Sequence, residues 1–241
     1  MKPVFHDQLL ETKFLRDGFL VVPDFLSTEN IKSLQNVFDG LNTGFEKGFH
    51  VTNWSKNYDY RETAHREVSD AMLPLAVKYI KDYKSVLGCY AVKYPGNESE
   101  MGIHQDWTIT DDSKYISLSI WCPLIDANEN TGMMQFYRGS HNIYKGVRGK
   151  DIPFEFKAEQ QQIIDNHLEN VPVMAGDAIF IHHRIVHRSL PNFSSQPRAA
   201  AMLAVIPEEA GVKQYYRDDL GQICNIDCAD DYWVHYEVEV Y

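Results

Sequence analysis

The stretch Met101-Gly102-Ile103-His104-Gln105-Asp106-Trp107 sets an imidazole and a carboxylate two residues apart. On a strand, positions i and i+2 share a face. His104 and Asp106 would then stand side by side, each able to give a lone pair to one metal ion. His-x-Asp arises often by chance, so a third ligand is required. The candidates lie in Phe180-Ile181-His182-His183-Arg184-Ile185-Val186-His187-Arg188-Ser189. Two histidines and one carboxylate on one face of a metal form the triad of non-haem iron(II) oxygenases. The remaining positions stay open, two to chelate a keto acid and one to take O2.

A keto-acid cosubstrate also needs a cation for its distal carboxylate. The guanidinium fork matches a carboxylate with two parallel hydrogen bonds. Arg198 lies eleven residues after His187, at the start of the apolar run Ala199 to Ile206. A strand, a turn at Pro191-Asn192 and a return strand would bring Arg198 beside His187. A cation opening an apolar run reads as a buried counter-ion, because buried charges are usually paired.

These residues need elements to hold them. The 241 residues suggest one domain, 1–241, with a mostly helical portion 1–84, a core 85–206 and a C-terminal extension 207–241. Phe19 to Pro23 is a short apolar run. Ser27 stands where a helix cap would, ahead of Ile31, Leu34, Phe38 and Leu41 at helical spacing. Asn42 to Tyr60 reads as a loop, and Arg61 to Lys81 as a helix with Pro74 as a break or second start. From Ser85 short strand-like runs alternate with turns. They include Val86 to Tyr94, Ile116 to Ile120 in strict alternation, Met133 to Tyr137, Ala178 to Ile181 and Ala199 to Ile206. His141 to Asn170 is long and polar and reads as a binding loop or lid. The tail from Ala210 has no clear assignment. The expected fold is mainly β with N-terminal helices, built on a double-stranded β-helix, the cupin-like jelly roll.

Composition narrows the partners. Lys and Arg number 23 against 34 Asp and Glu, a formal charge of −11. That balance disfavours nucleic acid and an anionic membrane surface. Met1 to Leu15 lacks a secretory-type apolar core, and no run of about 18 apolar residues exists. A reduced, cytoplasmic setting is expected. Cys89 and Cys122 read as buried thiols. Cys224 and Cys228 could form half a metal site or a disulfide, but lack the second pair a zinc knuckle needs.

From Lys93 to Ile206 the chain resembles the phytanoyl-CoA dioxygenase family of Fe(II)/2-oxoglutarate oxygenases, with motifs in the same order over roughly half its length. Lys93-Tyr94-Pro95-Gly96 resembles the strand end before the metal motif, and His104-Gln105-Asp106 the first two iron ligands. Trp121 stands where the family has a tryptophan near the cosubstrate. Asn130-Thr131-Gly132 and Gly139-Ser140-His141 resemble its Asn-Gly … Pro-Gly-Ser-His stretch, with Arg138 in place of the proline. Ile103 stands where an aromatic is common. Gly176-Asp177, then His187-Arg188-Ser189 with Asn192 and Arg198, resembles the distal ligand and the 2-oxoglutarate arginine. The resemblance implies that His104, Asp106 and His187 hold Fe(II), that Arg198 takes the far carboxylate, and that Ser189 and Trp121 support the cosubstrate. Asp106 implies an oxygenase, since the family's halogenases carry a small residue there.

Other residues have plainer readings. The step to Arg198 and the neighbouring Ser189 favour His187 over His182 and His183. His182 would then lie near the site and His183 be exposed. Asp111 and Asp112 read as a solvated turn, and Arg138 and Arg148 as surface cations. The expected activity uses Fe(II), 2-oxoglutarate and O2 to hydroxylate, desaturate or cyclise a small molecule, releasing succinate and CO2. The rivals are a cupin-like metal enzyme without 2-oxoglutarate and a catalytically silent binding module. The acidic chain favours a free metabolite, such as an amino acid or natural-product intermediate, over a coenzyme A thioester. The segments His141 to Asn170 and Gly44 to Tyr60 are the expected substrate-facing elements.

Overall fold

The computed structural model describes residues 2–41 and 44–236. In chain order the elements begin with α1 (Gln8–Asp17), β1 (Phe19–Val22), α2 (Thr28–Gly40), β2 (Phe49–Val51), α3 (Tyr58–Ala76) and β3 (Tyr83–Lys93). Then come β4 (Met101–His104), β5 (Leu118–Pro123), β6 (Met134–Tyr137), α4 (Gln160–Asn166), β7 (Leu168–Val171) and β8 (Ala178–His182). The last are β9 (His187–Ser189), β10 (Arg198–Pro207), β11 (Val212–Arg217), β12 (Ile223–Cys228) and α5 (Tyr232–His235).

The named strands pair antiparallel in a six-stranded sheet, β1-β8-β5-β10-β3-β2, a four-stranded sheet, β4-β9-β6-β7, and the hairpin β11-β12. The two larger sheets face one another as a jelly roll. Period-two alternation decides what each face of the larger sheet does. Leu118 and Ile120 of β5, Phe180 of β8 and Leu203 of β10 point outward. They join Phe14, Leu34, Val68 and Met72 of the helices in the main core. Trp121, Ile179, Ile181 and Ala200 point inward and meet Met134 and Phe136 of the smaller sheet. Each fully buried aliphatic or aromatic side chain contributes about 1.5–3 kcal/mol, so the helical layer is held mainly by the outer face.

Local signals set the helix ends. Asp7 caps α1 by accepting from the Leu9 and Leu10 amides, and Gly18 closes it at φ 82°. Ser27 caps α2 as its position suggests, accepting from the Asn30 amide.

Several expectations are corrected. α3 runs through Pro74 and stops two residues later, so the proline marks the end of one helix and not a second start. The segment His141 to Asn170 carries α4 and β7, because Phe156 and Ile163 bury against Tyr144 and Val186. The expected loop Asn42 to Tyr60 holds β2 and a 3-10 turn at Thr52–Trp54, while its residues 42 and 43 lie outside those described. The unassigned tail forms β11, β12 and α5, and residues 237–241 of the extension lie outside the description. Cys89 and Cys122 are buried and all four cysteines are free. Among the described residues no helix is long and apolar enough to cross a membrane.

Candidate metal and cosubstrate site

His104 and His187 sit directly opposite one another where β4 pairs with β9. Strand β4 stops at His104, so Asp106 belongs to the loop beyond it. That loop nonetheless turns Asp106 back to the same point. Its Oδ1 lies 3.9 Å from Nε2 of both His104 and His187. One ligand atom from each of the three residues falls within 4.8 Å of the others, a spacing that could hold a metal ion.

The histidines are oriented alike. Nδ1 of His104 is 2.8 Å from the Gly102 carbonyl and Nδ1 of His187 is 3.0 Å from the Ile185 carbonyl. A carbonyl only accepts, so each Nδ1 carries its proton and donates, which leaves each Nε2 with a lone pair facing Asp106. Burial, with His187 alongside, pushes His104 down to about 4. It is therefore neutral, as a metal ligand must be, at physiological pH. For Asp106, burial works against ionisation. His183, His187, His104 and the Ser119 hydroxyl outweigh it and hold the carboxyl below its ordinary value.

Ser119 and His183 complete this outer ring. The Ser119 hydroxyl donates to Asp106 Oδ2 at 2.8 Å and lies 3.0 Å from His183 Nε2. The expected roles of the paired histidines are thus reversed. His182 shares the outward parity of Phe180 and stacks on Phe14 of α1. His183 is 3% exposed and faces inward. Strand parity carried that signal, since His183, just past the end of β8, follows inward-facing Ile181 by two.

Arg148 and Asp112 are also not surface residues. Arg148 is 2% exposed, pairs with Asp112 at 2.6 Å and donates from Nε to the Asp106 carbonyl at 3.1 Å. Gln105 is buried and donates to the Tyr144 carbonyl at 3.0 Å. Together they brace the loop that carries Asp106. Arg138 does lie at the surface, paired with Asp17 and Glu169. Asp111 closes its turn on Ser113 and Lys114.

A second cluster lies alongside. Arg198 is 1% exposed and its guanidinium sits 5.1 Å above the Trp121 ring. It donates to the carbonyls of Thr131 and Gly132, while Nη1 has no partner. Gly132 takes φ +78°, and a Cβ there would meet Lys93 Cδ at 2.6 Å, so only glycine fits. Lys93 is fully buried and stands directly opposite Arg198 across β3 and β10. Its ammonium reaches the Ser99 and Ser189 carbonyls and the Phe49 ring. Burial, then Arg198, pushes Lys93 down to about 6, and burial pushes Arg198 down to about 9. A protonated Lys93 opposite Arg198, both buried, costs free energy unless an anion joins them, and Glu100 offsets only part of that cost. In the sequence Lys93 reads only as a strand-end residue; its position opposite Arg198 is set by the fold. Asn192 ties the β9–β10 turn to β3 by donating to the Lys93 carbonyl at 2.9 Å.

His104, Asp106, His187, Trp121, Ser189 and Arg198 all line one cavity of about 460 Å³. Phe49 and Trp54, from the expected substrate-facing segment Gly44 to Tyr60, line it too, as does Phe154 from His141 to Asn170.

Comparison with known proteins agrees with this architecture. The family model for phytanoyl-CoA dioxygenase (PhyH) matches residues 14–200. Phytanoyl-CoA dioxygenase domain-containing protein 1 of Danio rerio is 29% identical over 128 residues, covering 50% of this chain and 44% of that protein. The chain thus matches less than half the length of that relative. The epimerase SnoN, in a crystal structure with Fe3+, alpha ketoglutarate and nogalamycin RO, shares the fold at TM-score 0.62 and 20% identity, over 85% of each chain. HygX from Streptomyces hygroscopicus, with nickel, 2-oxoglutarate and hygromycin B bound, does so at TM-score 0.61 and 15% identity, over 84% of this chain and 88% of that one.

Proposed function

The chain belongs to the phytanoyl-CoA dioxygenase family, and from that premise we propose that it is an Fe(II)- and 2-oxoglutarate-dependent oxygenase acting on a small molecule. One observation carries the reading. Three ligand atoms converge within 4.8 Å beside a buried arginine whose Nη1 has no partner. The donor set suits the metal: two imidazoles and a carboxylate are the facial set of non-haem iron(II), and they leave positions free.

In this reading His104, Asp106 and His187 hold iron. Arg198 and Lys93 together receive the distal carboxylate of 2-oxoglutarate, Trp121 backs the guanidinium, and Ser189 supports the cosubstrate. Iron with the keto acid and O2 supplies the oxidation of an unactivated C–H bond, with succinate and CO2 as coproducts. Hydroxylation is the simplest outcome, and desaturation or ring closure the related ones. The protein's own part is orientation. The Gly102 and Ile185 carbonyls fix the imidazole tautomers, and Ser119 fixes the carboxylate, as outer partners of metal ligands do. Arg148 and Gln105 hold the loop between them. The keto acid bound in the structures of SnoN and HygX supports the choice of 2-oxoglutarate. The four free thiols suit a reduced, cytoplasmic setting.

The test is anaerobic visible spectroscopy with Fe(II), before and after 2-oxoglutarate. A broad charge-transfer band should appear on adding the keto acid and vanish in His187→Ala. Bound iron without a band would point to a metal enzyme that does not use 2-oxoglutarate. No bound iron would return a binding module to first place.

A further inference from the structure

The cavity has a second end that the metal and cosubstrate do not use. Trp107, immediately after Asp106 and its neighbours, packs edge-on against Trp233 at 5.9 Å and Tyr236 at 6.0 Å. Trp233 and Tyr236 lie 5.3 Å apart. Trp54 and Phe49 also line the cavity and meet edge-on at 5.6 Å. The aromatic wall is firmly seated. Trp233 buries with Val86, Ile109, Ile206 and Val212, and the guanidinium of buried Arg61 donates to the Tyr236 carbonyl.

Two facts then bear on what this end receives. Among the described residues lining the cavity, Asp106 and Arg198 are the charged side chains. The first is directed at the metal position and the second at the cosubstrate. An anionic group of the substrate held here would find no opposite charge, and burying it unpaired is costly; a cation would have ring faces alone to meet it. Rigid aromatic side chains instead offer flat apolar surface, and ring pairs gain about 0.5–1.5 kcal/mol beyond area burial. Moreover, Trp233 and Tyr236 lie outside residues 14–200, the stretch that matches the family model. The C-terminal segment thus adds Trp233 and Tyr236 to the Trp54 and Trp107 of the matched stretch.

We propose that the substrate is a neutral, ring-bearing small molecule, held against Trp54, Trp107, Trp233 and Tyr236 with its reacting carbon toward His104, Asp106 and His187. The assignment rests on the oxygenase reading for the identity of the site but not for its shape. It disfavours amino acids and coenzyme A thioesters alike.

Calorimetry on the full chain separates the two, run without additions and again under argon with Fe(II) and 2-oxoglutarate. The probes are 2-naphthol, 1-octanol, benzyltrimethylammonium and octanoyl-coenzyme A. 2-Naphthol should bind at least about tenfold more tightly than the others, a difference of about 1.4 kcal/mol. Trp233→Ala and Trp54→Ala should each weaken it about tenfold or more, as loss of a buried aromatic anchor does. Trp233→Phe, which keeps a ring, should stay within about threefold of the parent. The Fe(II)–2-oxoglutarate band should be unchanged in all three variants. Equal or tighter binding of any other probe, no binding of 2-naphthol, or equal loss in Trp233→Phe and Trp233→Ala would overturn the proposal. A band without this discrimination defeats the substrate assignment alone, and discrimination without a band defeats the oxygenase reading alone.

Discussion

The two faces of the six-stranded sheet are made from the same strands and obey different rules. On β5, Leu118, Ile120 and Cys122 face the helices, and Ser119 and Trp121 face the cavity. On β10, Ala199, Ala201 and Leu203 face the helices, and Arg198, Met202 and Ala204 face the cavity. On these two strands the outer face is apolar and follows the core rules. The inner face breaks them, burying a lysine opposite an arginine and a carboxylate among imidazoles. Local violations of this kind are expected where a ligand completes the structure. Parity along the strand therefore divides stability from chemistry more sharply than position along the chain.

That division can be broken from either side. The largest effect should come from the outer face. Ile120 is fully buried among the helices, so Ile120→Ala should cost about 2–5 kcal/mol in urea unfolding and leave the affinity for 2-oxoglutarate intact. A matching loss of cosubstrate affinity would show that the faces are not independent.

Lys93→Met attacks the inner face and should act in the opposite sense. Removing a buried amine that must give up its proton to fold should stabilise the ligand-free fold by about 1–4 kcal/mol, while calorimetry shows 2-oxoglutarate binding at least about tenfold weaker. The pH dependence follows the same group. Its pKa falls from 10.5 to about 6 on folding. Between those values the unfolded chain binds more protons than the folded one, so this lysine's contribution to stability rises with pH. Below pH about 6 it stops changing. Thermal melts of the parent across that window should carry this slope, and those of Lys93→Met should lack it.

The smallest effect belongs to Ser119→Ala. It removes the hydroxyl that donates to Asp106 at 2.8 Å, and loss of such an outer partner weakens metal affinity about 10–100-fold. Competition with a chelator would measure it. An unchanged iron affinity would mean that Asp106 is positioned by its loop alone.

The elements that read most clearly in the sequence were those governed by local pattern. The cap at Ser27, the alternation around Leu118 to Ile120 and the apolar run of β10 needed only neighbours. The His104, Asp106 and His187 set was readable because spacing and motif order agree, and Arg198 because a cation opening an apolar strand is conspicuous. The remainder depends on distant partners. Lys93 looks ordinary until Arg198 faces it from a strand more than a hundred residues later. Arg148 and Asp112 look solvated until they meet each other. The polar composition of α4 hides Ile163, whose burial needs Phe156 and Val186 around it. The tail gave no assignment because Trp233 finds its place only against Val86 and Ile109.

The placement of β10 between β3 and β5 also bears on how the protein is made. Residues 198–207 pair with residues 83–93 and 118–123, so this central strand leaves the ribosome only after both of its partners. Contacts of such sequence separation close slowly, and chains emerge at about 5–20 residues per second. His104 and Asp106 are thus translated seconds before His187 and Arg198, with only two of the proposed ligands available in the interval. An incomplete chain would offer iron a weak and open perch, and firm metal capture would wait until the sheet had closed.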